Sequence, residues 1–107
     1  MDNIQYTVYH GSDDGYYGWH RDSSLFGYVP MDRKISGIIM LSDRSDYEGG
    51  ELLVDVAGGD QDRAIEIGLK KGDVFIFDSS MHHCVKPVTE GIRKTLVFWV
   101  RGEGQIS

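Results

Sequence analysis

His20 and Asp22, in the stretch YYGWHRDSS, stand two residues apart. On a strand that spacing puts both positions on one face, with about 7 Å of rise between their α-carbons, so both side chains can converge on one ion. Imidazole with carboxylate is a ligand set for a borderline divalent metal. Two histidines and one carboxylate on a single octahedral face suit non-haem Fe(II). The adjacent pair His82-His83 offers the third donor, but neighbours on a strand point oppositely, so only one of the two can serve. The spacing alone also fits a salt-bridged strand end. With twelve aspartates in the chain, at least one His-x-Asp arises by chance about four times in ten.

Strands have to carry these residues. No segment keeps a helical period, whereas apolar runs and alternating stretches recur between turn-formers. The pattern predicts strands at Ile4–His10, Tyr16–Asp22, Lys34–Leu41, Glu51–Val56, Ala64–Leu69, Asp73–Phe77, His83–Val88 and Ile92–Val100. Between them lie Ser12-Asp13-Asp14, Asp43–Gly50, Gly58-Gly59-Asp60, Lys70-Lys71-Gly72, Ser79-Ser80 and Thr89-Glu90-Gly91. There glycine reaches positive φ, and Asp or Ser bonds the local backbone. Eight short strands punctuated in this way predict an all-β, antiparallel sandwich or barrel, the jelly roll being the eight-stranded option. The last strand alternates Arg93, Thr95, Val97 and Trp99 on one face with Lys94, Leu96, Phe98 and Val100 on the other. An arginine therefore stands at the mouth of a mainly apolar stripe.

Composition narrows the function classes. A chain of 107 residues is expected to form one domain, 1–107, without room for a second core. A formal charge of −6 argues against a nucleic-acid partner, which needs a basic face. No apolar run approaches the roughly 18 residues of a membrane span, and the start lacks the basic-then-apolar pattern of a signal peptide. The single cysteine, Cys84, excludes an internal disulfide and fits a reducing compartment, so a cytoplasmic location is expected.

The stretches WHRD, YEGGELLV and GDVFIFDSSMHHCVKPVTEGIRKTLVFWVRG together resemble the Fe(II)/2-oxoglutarate dioxygenase superfamily. The nearest branch is the prolyl-4-hydroxylase-like one, with its small PKHX/PKHD-type hydroxylases. The resemblance runs over essentially the whole chain and implies a double-stranded β-helix with few or no helices. In that family the distal histidine stands four residues before the proline of a PVT-x-G-x-R segment. Here Pro87-Val88-Thr89-Glu90-Gly91-Ile92-Arg93 matches, which selects His83 and leaves His82, like His10, as a solvated or neighbouring histidine. The resemblance thus implies His20, Asp22 and His83 as Fe(II) ligands. It implies Arg93 as the partner of the cosubstrate's far carboxylate, Tyr9 as a hydroxyl partner, and Met40 and Leu52 as pocket wall. There are departures as well. The helices that usually precede the first core strand are not in this sequence, Asp78 replaces the usual proline, and Tyr9 stands slightly further from His20 than the family's tyrosine.

Three facial ligands leave three positions on an octahedral ion, two for 2-oxoglutarate and one for dioxygen in the family. The cosubstrate's far carboxylate would be costly to bury unpaired, and a guanidinium gives it a bidentate partner. The reaction implied is hydroxylation of a C–H bond in a peptide, most naturally at proline, or in a small molecule. It is coupled to decarboxylation of 2-oxoglutarate to succinate and CO2, with ascorbate a further expected cofactor. Nucleic-acid dealkylases of this scaffold carry a second arginine six residues after the first, where this chain has Trp99. Trp19 and Trp99 are expected in the core, Gly49-Gly50 at a turn or close backbone approach, and the loop Ser23–Arg33 with Phe26 and Tyr28 over the site. Two other readings fit the same residues: a non-catalytic jelly-roll binding module, and a cupin-like metal enzyme that does not use 2-oxoglutarate and in which Arg93 is incidental.

Overall fold

Alternation in the last part of the chain sets the layout. In the computed structural model, which describes residues 3–11, 17–20, 33–55 and 64–101, Arg93, Thr95 and Trp99 are buried while Lys94 and Val100 are exposed. One face of this strand looks into the molecule and the other looks out. Nine strands are formed among the described residues: β1 (Asn3–His10), β2 (Tyr17–His20), β3 (Arg33–Met40), β4 (Tyr47–Gly49), β5 (Leu52–Asp55), β6 (Ile65–Ile67), β7 (Val74–Asp78), β8 (His82–Val85) and β9 (Val88–Arg101). A 3-10 turn, Arg44–Asp46, leads into β4.

The strands make two sheets, one with the order β1-β9-β3-β7 and β4 added to β9, the other β2-β8-β5-β6. Every pairing is antiparallel. The inner faces meet in a core of Ile38, Leu52, Phe77 and Val85, which continues into a second cluster of Met40, Tyr47 and Val88. Tyr9 and Leu69 pack against both. Burying a side chain such as Leu52, 2% exposed, contributes about 1.5–3 kcal/mol. The architecture is the antiparallel jelly roll expected from the strand pattern. No helix among the described residues is long and apolar enough to cross a membrane.

Two predicted turns are strand instead. The stretch Asp43–Gly50 contains the 3-10 turn and β4, and Thr89-Glu90-Gly91 lies inside β9. Pairing of Tyr47 with Gly91 and Glu48 with Glu90, then Gly49 with Val88, leaves a bulge at Thr89. Gly91 has φ 79°, and a Cβ there would collide with the Asp46 carbonyl oxygen, so only glycine lets β4 come this close. Three-residue strands ending in glycine carry no alternation to read. The predicted strand His83–Val88 is divided, with Lys86-Pro87 linking β8 to β9. That link crosses from one sheet to the other, and it is tied to the residue just before β5 by Lys86 N–H to the Glu51 carbonyl, 2.9 Å.

Candidate functional site

The histidine side of the site is built by a turn. At the end of β7 the Asp78 carboxylate accepts from the Ser80 N–H at 2.8 Å and from its hydroxyl at 2.7 Å, which holds its pKa below the usual carboxylate value. Met81 N–H bonds the Asp78 carbonyl at 2.9 Å and closes the turn. The Met81 carbonyl in turn accepts from His83 Nδ1 at 2.9 Å. A carbonyl can only accept, so in the neutral ring the proton sits on Nδ1 and the lone pair is left on Nε2. That is how a metal-binding imidazole is usually oriented. His83 is 4% exposed and edge-on to Phe77, with ring centroids 4.8 Å apart, so it lies between the sheets.

His20 stands directly opposite His83 in the β2–β8 ladder, which puts the two positions on the same face of the sheet. His82 stands opposite Asp55 and is half-buried. Asp22 lies outside the described residues, as do residues 23–32 of the expected covering loop. Among the described residues no three His, Cys, Asp or Glu side chains are grouped to hold a metal.

One row along the same face begins a cavity of about 290 Å³. Val54 is opposite His83 and Leu52 opposite Val85, so Leu52 is two residues along β5 from the histidine row. Leu52 and Met40, each 2% exposed, line the cavity with Ile67 and Leu69, and Arg93 and Tyr47 supply polar groups. Arg93 is itself 2% exposed, and its Nε has no hydrogen-bond partner among the described residues. Burial pushes its pKa below the usual guanidinium value. The Tyr47 and Tyr9 phenols partly offset this, Tyr47 within hydrogen-bonding reach, and Arg44 adds to it. Tyr9 is opposite Arg93 in the β1–β9 ladder, its ring centroid 6.0 Å from the guanidinium carbon. Glu51 and Glu66 also line the cavity, but among the described residues no carboxylate is among the groups acting on Arg93, so this buried cation is suited to an anion.

Gly50 makes room for that cation. Its φ is 66°, and a Cβ there would sit 2.9 Å from both Arg93 Cδ and Val88 Cγ2. Gly50→Ala therefore combines a left-handed backbone with a displaced arginine stem, and costs about 1–3 kcal/mol. Thermal denaturation of the Gly50→Ala protein should show a lower midpoint than wild type.

Sequence reasoning did not single out Tyr47, although it opens the YEGGELLV stretch; inside an apparent turn nothing marked its ring as inward. Trp99 is buried, as expected for a core residue, and Arg33 stacks on it at 3.9 Å. His10 is exposed. Burial raises the pKa of the Cys84 thiol, with Lys86 opposing.

A family model described as the 2OG-Fe(II) oxygenase superfamily matches residues 4–101. The chain is 40% identical over 87 residues to a PKHD-type hydroxylase of Synechococcus sp. (strain CC9902), covering 81% of this chain and 36% of that protein. It is 42% identical over 86 residues to a PKHD-type hydroxylase of Idiomarina loihiensis, covering 80% of this chain and 37% of that protein. The chain thus spans little more than a third of these relatives' length. Among solved structures, a Pseudomonas putida prolyl-4-hydroxylase superposes with a TM-score of 0.74 at 22% identity, over 96% of this chain and 52% of the other. A Trichoplax adhaerens prolyl hydroxylase, solved with a peptide fragment of a hypoxia inducible factor oxygen degradation domain, gives 0.73 at 21% identity, over 94% and 43%. At such identities the likeness is one of fold.

Proposed function

The chain belongs to the 2OG-Fe(II) oxygenase superfamily, and from that premise we propose that it forms a single core domain performing Fe(II)- and 2-oxoglutarate-dependent hydroxylation of a C–H bond. The observation that carries this reading is Arg93, a buried guanidinium whose Nε has no partner among the described residues, at a cavity one side-chain row from His83. The residues fit both groups the family implies. His83 has its proton fixed on Nδ1 by the Met81 carbonyl, leaving Nε2 as a donor to a metal. His20, opposite it, and Asp22 would complete a two-histidine, one-carboxylate set for Fe(II). Arg93, with Tyr9 and Tyr47 near it, would hold the far carboxylate of 2-oxoglutarate, and Met40 and Leu52 would wall its carbon chain.

When bound, Fe(II) supplies the activation of dioxygen. One oxygen atom enters the C–H bond, and the other enters succinate as 2-oxoglutarate loses CO2. This chain's residues orient the cosubstrate, keep water from its buried carboxylate and set its distance from the ligand row. A prolyl residue in a peptide is the substrate proposed, in line with the prolyl hydroxylases sharing this fold. Neither the cavity nor the relatives' names point to ascorbate. Anaerobic titration of the Fe(II) protein with 2-oxoglutarate should produce a visible charge-transfer band, and admitting oxygen should yield succinate. A protein that gives neither is a binding module on the same fold.

A further inference from the structure

Resting on the reading of this cavity as a 2-oxoglutarate site, we propose that Arg44 is a positioning residue for it: stacked on Tyr47, it holds the phenol beside the Arg93 guanidinium, so that Tyr47 supplies the hydroxyl that meets the ligand's far carboxylate. Arg44 opens the 3-10 turn, which is pinned by the Asp43 N–H to Asp46 Oδ2 and by the Asp46 N–H to the Asp43 carbonyl, each 2.9 Å. From that anchored start it contacts Tyr47 twice. Nη1 donates to the Tyr47 carbonyl at 2.8 Å, and the guanidinium carbon lies 4.7 Å from the ring centroid. An exposed arginine held at two points has given up rotamer freedom that solvent would otherwise keep, so the contacts constrain Tyr47 as well.

The ring is fixed on its other sides too. Tyr47 is 7% exposed and packs with Met40 and Val88. At Gly50 the ring edge and the Arg93 stem converge, a Cβ there being 3.3 Å from Tyr47 Cε2 and 2.9 Å from Arg93 Cδ. Arg44, Tyr47 and Arg93 all line the cavity.

The test is calorimetry of 2-oxoglutarate into the full chain loaded with Mn(II), without oxygen, for four variants whose fold and Mn(II) affinity are checked first. Tyr47→Phe keeps the ring and loses the hydroxyl, and should weaken the ligand roughly ten- to hundredfold. Arg44→Ala should weaken it about three- to tenfold, and Arg44→Lys should recover only part of that loss because an ammonium lacks the planar stack. In the double variant Arg44→Ala/Tyr47→Phe the loss should be no larger than for Tyr47→Phe alone, since Arg44 then has no hydroxyl to position. Additive losses would mean that Arg44 acts on the ligand by its own charge, and unchanged affinity in folded Tyr47→Phe or Arg44→Ala protein would remove that residue's role. Either result overturns the proposal while leaving the 2-oxoglutarate site intact. A wild-type protein that binds Mn(II) but no 2-oxoglutarate overturns both.

Discussion

Asp22→Ala protein is expected to form no succinate from 2-oxoglutarate and to hold Fe(II) at least roughly a hundredfold more weakly than wild type, beyond the ten- to hundredfold that loss of an outer hydrogen-bond partner costs a metal site. Asp22 is the one anionic donor in the proposed set, so its loss leaves a dication held by two neutral imidazoles. His83→Gln should have a similar effect on metal with a milder one on folding, because the amide can still bond the Met81 carbonyl beside Phe77. His82→Ala should leave metal affinity near wild type. It stands in the other side-chain row of β8, opposite Asp55, whereas His83 stands opposite His20. Mn(II) calorimetry reads the affinities and chromatography the succinate. If wild type and Asp22→Ala gave equal succinate under oxygen, the enzyme reading would fail in favour of a binding module. Loss of metal in His82→Ala with retention in His83→Gln would exchange the two histidines.

What could be read from the sequence was what repeats. The alternation of β9 announced which face carries Arg93, and the burial of Arg93, Thr95 and Trp99 against the exposure of Lys94 and Val100 follows it. Strand period alone left His82 and His83 equivalent, because neighbours differ only in the face they take. The PVT-x-G-x-R resemblance implies His83, and the β2–β8 register, fixed by partners more than sixty residues away, places His83 and not His82 opposite His20. β4 was not legible. Its three residues show no period, and its pairing rests on a close approach to Gly91 that depends on a distant backbone. Tyr47 was missed with it, for a side chain's direction cannot be assigned until its strand is.

Arg93→Gln is expected to weaken 2-oxoglutarate by at least roughly ten- to hundredfold, since a hydrogen bond to a charged group contributes about 1.5–3 kcal/mol and each decade of affinity is about 1.4. Mn(II) affinity should be nearly unchanged, because the guanidinium is not a ligand. Arg93→Lys should lose less, keeping the charge but not the planar fork. The same residue also has an opposite effect on stability. The fold buries a guanidinium whose Nε has no partner among the described residues and whose pKa burial lowers. Arg93→Met removes that desolvation cost and keeps most of the stem's packing against Tyr47 and Gly50, so the ligand-free variant should melt at or above the wild-type midpoint. Ligand then separates the two proteins. At a hundred times Kd, 2-oxoglutarate with Mn(II) stabilises wild type by about 2.7 kcal/mol, and the methionine variant by almost nothing at that concentration. A raised ligand-free midpoint together with a lost ligand-induced shift identifies Arg93 as a group kept for binding at the expense of the fold. A lowered midpoint with unchanged 2-oxoglutarate affinity identifies it as structural, and a cupin-like metal enzyme that does not use 2-oxoglutarate becomes the better description of the site.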